Sequence, residues 1–172
     1  MRLAAIAGVA GVLTVASASG CSLILDFSDS AVPGDATADS AFSQAECDYK
    51  EPNNAAAEAA LLATTDVGPA AICAAGVDDH DFYKFTVPAS TASVSIAITF
   101  VNSPTGDLDL RLYDKTGATV LAQSRGFGDS ETIACPSVAC SALAPDDYIF
   151  EVFPALQGAQ NRYDIALTIT PM

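Results

Sequence analysis

Positive charge is scarce in this chain: 7 Lys and Arg stand against 21 Asp and Glu, for a formal net charge of −14, and the few cations never cluster. That excludes nucleic acid as a partner, because phosphate contacts require grouped Lys and Arg side chains. Histidine is limited to His80. A Ser-His-Asp hydrolase would need it as the base, with Ser130 of Gly128-Asp129-Ser130 as nucleophile, yet that string lacks the glycines of an oxyanion hole. His80 stands between acids and is expected in an exposed loop. No glycine-rich phosphate loop and no zinc-hydrolase motif occurs, and there is no internal repeat. The chain is therefore read as not an enzyme. The carboxylate pair Asp107 and Asp109 falls two apart on one face of a strand, where the ordinary reading is a polar sheet face with Arg111 beside Asp109.

The apolar run at residues 3–16 (LAAIAGVAGVLTVA) is shorter than the roughly 20 residues of a membrane-spanning helix, and small residues follow it. With Arg2 before it, the segment 1–20 is expected to be a signal peptide. Ala18-Ser19-Gly20-Cys21 resembles the lipobox of bacterial lipoproteins, in which the cysteine is diacylated and becomes the new amino terminus. Ala18 stands where that family usually has Leu, so cleavage after Ala18 by the ordinary signal peptidase is the rival. Five cysteines are an odd number for an oxidising compartment. Assigning Cys21 to the lipid leaves Cys47, Cys73, Cys135 and Cys140 as an even set for two disulfides. Three pairings are open to four cysteines; Cys135 and Cys140 enclose a local loop, which makes Cys47 with Cys73 the natural remainder. A zinc site from Cys135, Cys140 and His80 has poor spacing in the wrong compartment.

Residues 21–46 carry Ser, Ala, Asp, Gly and Pro without apolar periodicity and read as a lipid-anchored, disordered linker. From Cys47 onward, short segments alternate with period two between Gly, Pro, Asn and Asp. Tyr83, Phe85 and Val87 form one inward series; Val94, Ile96, Ile98 and Phe100 form a second. Leu108, Leu110 and Leu112, then Tyr148, Phe150 and Val152, then Tyr163, Ile165, Leu167 and Ile169 complete the strong strands. Weaker strands are expected around 71–74, 118–124 and 131–135, with turns at 102–106, 115–117 and 144–147. About eight strands in two packed antiparallel sheets follow, an all-β sandwich over 47–172. The one helical candidate is 55–63 (AAAEAALLA), capped by Asn54, with a loose turn as its alternative.

Glu51-Pro52-Asn53-Asn54, Asp79-His80-Asp81-Phe82-Tyr83-Lys84-Phe85-Thr86-Val87, the run from Asp107 to Asp114 (DLDLRLYD), Tyr148-Ile149-Phe150-Glu151-Val152 and Tyr163-Asp164-Ile165-Ala166-Leu167, in this order, resemble the bacterial pre-peptidase C-terminal domain. The resemblance implies a jelly-roll-like antiparallel β-sandwich that is not itself catalytic. Some members, the collagen-binding modules of clostridial collagenases, hold calcium through the EPNN segment and the D-x-D turn. Carried over, the metal candidates are Glu51, Asn53, Asn54, Asp79 and Asp81, a set of hard oxygen donors that suits calcium. Calcium is the only cofactor implied. The departures are Tyr49 where those relatives have an acid, with Asp48 one step further back, and Asp146 and Asp147 where the family commonly has Gly. Without a metal, Asp78, Asp79 and Asp81 read as a solvated turn.

The expected function is that of an exported, non-catalytic envelope lipoprotein, at the outer membrane or cell surface. Its domain would bind an extracellular polymer or envelope protein, with Phe127, Tyr113 and Phe153 as candidate contacts that could equally be core or edge. The alternative is a structural or chaperone-like accessory module for a secreted protease or envelope partner.

Overall fold

In a computed structural model, residues 44–47, 49–66, 68–73 and 79–172 are described. Segment 1–20, Cys21, most of the expected linker, Asp48 and Asp78 therefore lie outside the described residues. Among those described, no helix is long and apolar enough to cross a membrane. A helical turn, α1 (Gln44–Cys47), lies at the expected end of the linker, where Glu46 pairs with Arg162 at 2.9 Å.

Among the described residues nine strands follow: β1 (Ala60–Leu61), β2 (Pro69–Ile72), β3 (Asp81–Val87), β4 (Thr91–Phe100), β5 (Leu108–Tyr113), β6 (Val120–Ser124), β7 (Ser130–Cys135), β8 (Asp146–Pro154) and β9 (Asn161–Pro171). They form a five-stranded sheet, β1-β3-β8-β5-β6, and a four-stranded sheet, β2-β9-β4-β7. All pairings are antiparallel except β1 with β3. The expected sandwich is present.

The period-two pattern does what it implies in β3, β4 and β9, where alternate residues are buried. Tyr83, Phe85, Ile96, Ile98, Leu110, Phe150 and Val152 are among the residues at or near zero exposure in the single core. Burial of each such large side chain contributes about 1.5–3 kcal/mol.

The segment 55–63 is not a helix. It holds a three-residue 3-10 turn, Ala56–Glu58, followed directly by β1. A nine-residue helix cannot repay its nucleation cost from alanine propensity alone, and Asn54 is engaged elsewhere, its amide donating to Glu51 at 3.1 Å. Leu62 enters the core, and its N–H bonds Lys84 O at 2.8 Å. The turn lies against the outer face of the five-stranded sheet, where the positive φ of Gly117 (71°) and the close approach of Ala56 leave no room for a side chain.

Candidate metal centre

The EPNN segment is fastened to the start of β3 by its backbone, with Phe82 N–H bonding Asn53 O at 2.8 Å. That bond sets Asn53, fully buried, beside Asp81, 3 % exposed. Glu51 folds back on its own segment and accepts from Asn53 N–H at 2.7 Å and from Asn54 Nδ2 at 3.1 Å. Asp79, half-buried, accepts from Cys73 N–H at 2.7 Å. The disulfide Cys47–Cys73, with Cα atoms 5.9 Å apart, ties that residue to the strip of chain leading into the EPNN segment.

Carboxylate oxygens of Glu51, Asp79 and Asp81 all come within 4.8 Å of one another. Such crowding opposes ionisation. Burial pushes the Asp81 carboxyl up to about 8, the charges of Asp79 and Glu51 push the same way, and hydrogen bonds from Tyr163 and Asn53 only partly oppose them. Burial also raises Asp79, against the bond from Cys73 N–H.

The side-chain nitrogen of Asn53 donates to both Glu51 oxygens at 3.1 Å and to Asp81 Oδ1 at 3.3 Å, so one buried amide ties the two acids together. Three carboxylates within reach of one another are hard oxygen donors, and the set fits a divalent cation such as calcium.

Of the five residues singled out from the sequence, Glu51, Asn53, Asp79 and Asp81 converge. Asn54 is exposed, and its oxygen takes the His80 N–H at 3.5 Å. The expected solvated turn is corrected at Asp81, which is buried because β3 begins there and pairs it with Val152 of the central strand β8. Sequence reasoning missed two tyrosines, which read simply as core. Tyr163 OH hydrogen-bonds Asp81 Oδ2, and Tyr83 OH bonds Tyr163 OH at 2.8 Å. A phenol at an inward strand position gives no warning of this role.

The outer face of the same sheet holds a second polar cluster. Glu151, 2 % exposed, is bonded to His80 Nδ1 at 2.6 Å, Tyr113 OH at 2.6 Å and Arg111 Nη1 at 3.0 Å. His80 is thus not a free loop residue: it is half-buried, with its ring stacked near Phe82 and Phe153. Arg111 pairs with Glu151 rather than Asp109, whose nearest cation is Arg125 at 3.8 Å. Asp107 and Asp109 are buried, 9 % and 5 % exposed, not on a wet face. Of the three candidate contact aromatics, Tyr113 and Phe153 belong to this cluster, while Phe127 is 92 % exposed. Ser130 lies in the opposite sheet from His80, so no triad forms. The second disulfide joins Cys135 and Cys140.

Residues 79–154 match the family model of the bacterial pre-peptidase C-terminal domain. That match starts at Asp79 and reaches the end of β8, so it takes in both aspartates of the site and the strands on which they depend. A pre-peptidase C-terminal domain is a non-catalytic β-sandwich module associated with proteases. Among solved structures, the chain is similar to the pre-peptidase C-terminal domain of a collagenase from Bacillus anthracis, at 13% identity and a TM-score of 0.49, covering 63% of this chain and 92% of that one. A search of curated proteins finds no match.

Proposed function

We propose that this chain is an exported, non-catalytic lipoprotein of the cell envelope whose pre-peptidase C-terminal domain is stabilised by calcium and serves as a binding module. The observation that carries the metal assignment is the convergence of the Glu51, Asp79 and Asp81 carboxylates within 4.8 Å of one another. Glu51, Asn53, Asp79 and Asp81 would hold the ion. Calcium bound there supplies the positive charge that lets these buried acids ionise together, and so joins the EPNN segment to β3. The chain's own residues orient the donors: Tyr163 fixes one Asp81 oxygen, Cys73 N–H fixes Asp79, and Asn54 steadies Glu51.

Thermal unfolding of the full chain with disulfides intact, first in EDTA and then in calcium, tests this. Binding to the folded state alone at a hundredfold excess over Kd adds about 2.7 kcal/mol, a rise in midpoint of about 10 °C for a domain of this size. Asp81→Asn should remove the rise. No rise at millimolar calcium would reject the metal.

The anchor rests on the Ala18-Ser19-Gly20-Cys21 string and on the even set of cysteines left once Cys21 is assigned to the lipid. Replacement Cys21→Ser should move the chain from the membrane fraction to the soluble one, since a diacylglyceryl group is the only attachment this reading provides. Mass spectrometry of the exported chain should show the acyl groups on Cys21; an unmodified amino terminus at Ser19 would show the ordinary signal peptidase at work instead.

A further inference from the structure

Three loops meet at one end of the sandwich, where β4, β6 and β8 finish and β5, β7 and β9 begin. Large apolar side chains stand open on them: Phe127 at 92 % exposure, Val101 at 79 % and Leu156 at 59 %, with Pro104 exposed as well. Phe127 is the one exposed aromatic ring among the described residues. Phe127, Pro104 and Leu156 border a single cleft of about 490 Å3, so they form a patch. Scattered apolar side chains on a surface need no explanation, but a patch does.

Hydrogen bonds fix the backbone that presents it. Asn102 N–H bonds Asp129 Oδ1 at 2.9 Å and Asn102 Nδ2 bonds Phe127 O at 2.8 Å, joining the loop after β4 to the loop after β6. Gly126 N–H bonds Glu131 at 2.6 Å, so the residue before Phe127 is held too. Asn161 Nδ2 donates to Val101 O at 2.7 Å and to Gly106 O at 2.6 Å, and Ala155 N–H donates to Asp107 O at 2.9 Å.

What the patch faces follows from where the chain joins the domain. The helical turn α1 lies at this same end: Glu46 pairs with Arg162, the neighbour of the Asn161 that braces the Val101 loop, and Cys47 is bonded to Cys73 just beyond the end of β2. Residues 22–43 join Cys21 to Gln44 and reach at most about 80 Å. The opposite end, with the loop between Cys135 and Cys140, is a strand length further off, about 30 Å along β4. We propose that the loop end is a lipid-contact face, with Phe127, Val101 and Leu156 seated in the interfacial layer of the bilayer that carries the Cys21 anchor, at the depth of about 5–10 Å usual for apolar side chains there. At a net charge of −14 the attraction is apolar and not electrostatic, which suits a neutral lipid surface. The inference rests on the lipoprotein reading and adds a second contact to it. Three side chains are too few to retain the chain without its anchor; once tethered, the contact is intramolecular and sets how the domain is oriented on the membrane.

The chain contains no tryptophan, so Phe127→Trp places a sole indole on this face. The test is fluorescence of the full acylated chain, held by its anchor in phosphatidylcholine vesicles, with and without bromine on the lipid acyl chains. Val138→Trp, at the fully exposed tip of the loop between Cys135 and Cys140, is the control at the far end. Both substitutions fall at exposed positions, where folding tolerates the larger ring. Phe127→Trp emission should drop about twofold in the brominated vesicles while Val138→Trp changes little. Equal quenching of the two, or no quenching of Phe127→Trp in chains that float with the vesicles, overturns the face and leaves the anchor standing; the second result points to a protein partner for the patch. Failure of the wild-type chain to float rejects the anchor instead. The face is then decided by adding the same vesicles at millimolar lipid to the soluble Phe127→Trp chain, where a saturable blue shift keeps the lipid contact and its absence removes it.

Discussion

Replacement of Glu151 by Ala should lower stability by about 3–5 kcal/mol, the range found when one member of a buried, hydrogen-bonded charge group is deleted. Glu151 is 2 % exposed and its two oxygens serve three partners: His80 on one, Arg111 and Tyr113 on the other. Removing the carboxylate leaves the Tyr113 hydroxyl buried without an acceptor and Arg111 without its counter-ion beneath the Phe153 ring, 4.4 Å away. Glu151→Gln keeps one acceptor but turns an amide NH2 toward a donor, so a smaller loss of about 1–3 kcal/mol is expected. Chemical denaturation read by circular dichroism measures both, and a loss below about 1 kcal/mol in Glu151→Ala would show that the cluster is held by its aromatic rings alone.

The same residue sets an acid limit. Burial pulls the Glu151 carboxyl upward, but the hydrogen bonds from His80 and Tyr113 and the charge of Arg111 outweigh it and leave the group below its ordinary value. A group lowered by folding contributes stability that is present above its unfolded value, near 4.3, and is lost as pH falls through the folded one. The wild-type domain should therefore lose stability as pH falls below about 4, and Glu151→Ala should show a flatter slope there.

Why this cluster escaped the sequence is a matter of layers. Period-two alternation tells inward from outward on a strand, and it placed Tyr148, Phe150 and Val152 in the core correctly. It says nothing about what covers the outward residues. In β8 every residue from Tyr148 to Phe153 is buried, because β8 is central in its sheet and Phe82, Tyr113, Arg111 and the Ala56 turn close over its outer face. Asp107 and Asp109 read as a polar sheet face for the same reason. The metal candidates came from the family resemblance and not from either string alone; the backbone bond from Phe82 to Asn53 sets the EPNN segment beside the start of β3. Asp107 was legible only as an acid on a strand. Its burial is set by loops far apart in sequence, which no spacing rule reaches.

Removing the disulfide between Cys47 and Cys73 should be the other large loss, and it should differ in kind from removing the second one. Cys47 and Cys73 are 26 residues apart, Cys135 and Cys140 only 5. Loop-closure entropy in the unfolded chain then assigns about 3.5 kcal/mol to the first bridge and about 2 kcal/mol to the second. The difference in consequence is greater than the difference in energy. Cys73 donates its N–H to Asp79 Oδ2, and Cys47 lies four residues before Glu51, so the first bridge holds both halves of the proposed calcium site. The second lies at the end of β7 in the other sheet. The paired replacement Cys47→Ser with Cys73→Ser should thus lower the unfolding midpoint in EDTA and also weaken the rise that calcium produces, whereas Cys135→Ser with Cys140→Ser should lower the midpoint less and leave the calcium rise intact. An equal calcium response in both double variants would mean that the EPNN segment finds β3 without the covalent tie, through the Asn53 to Phe82 bond and the ion alone.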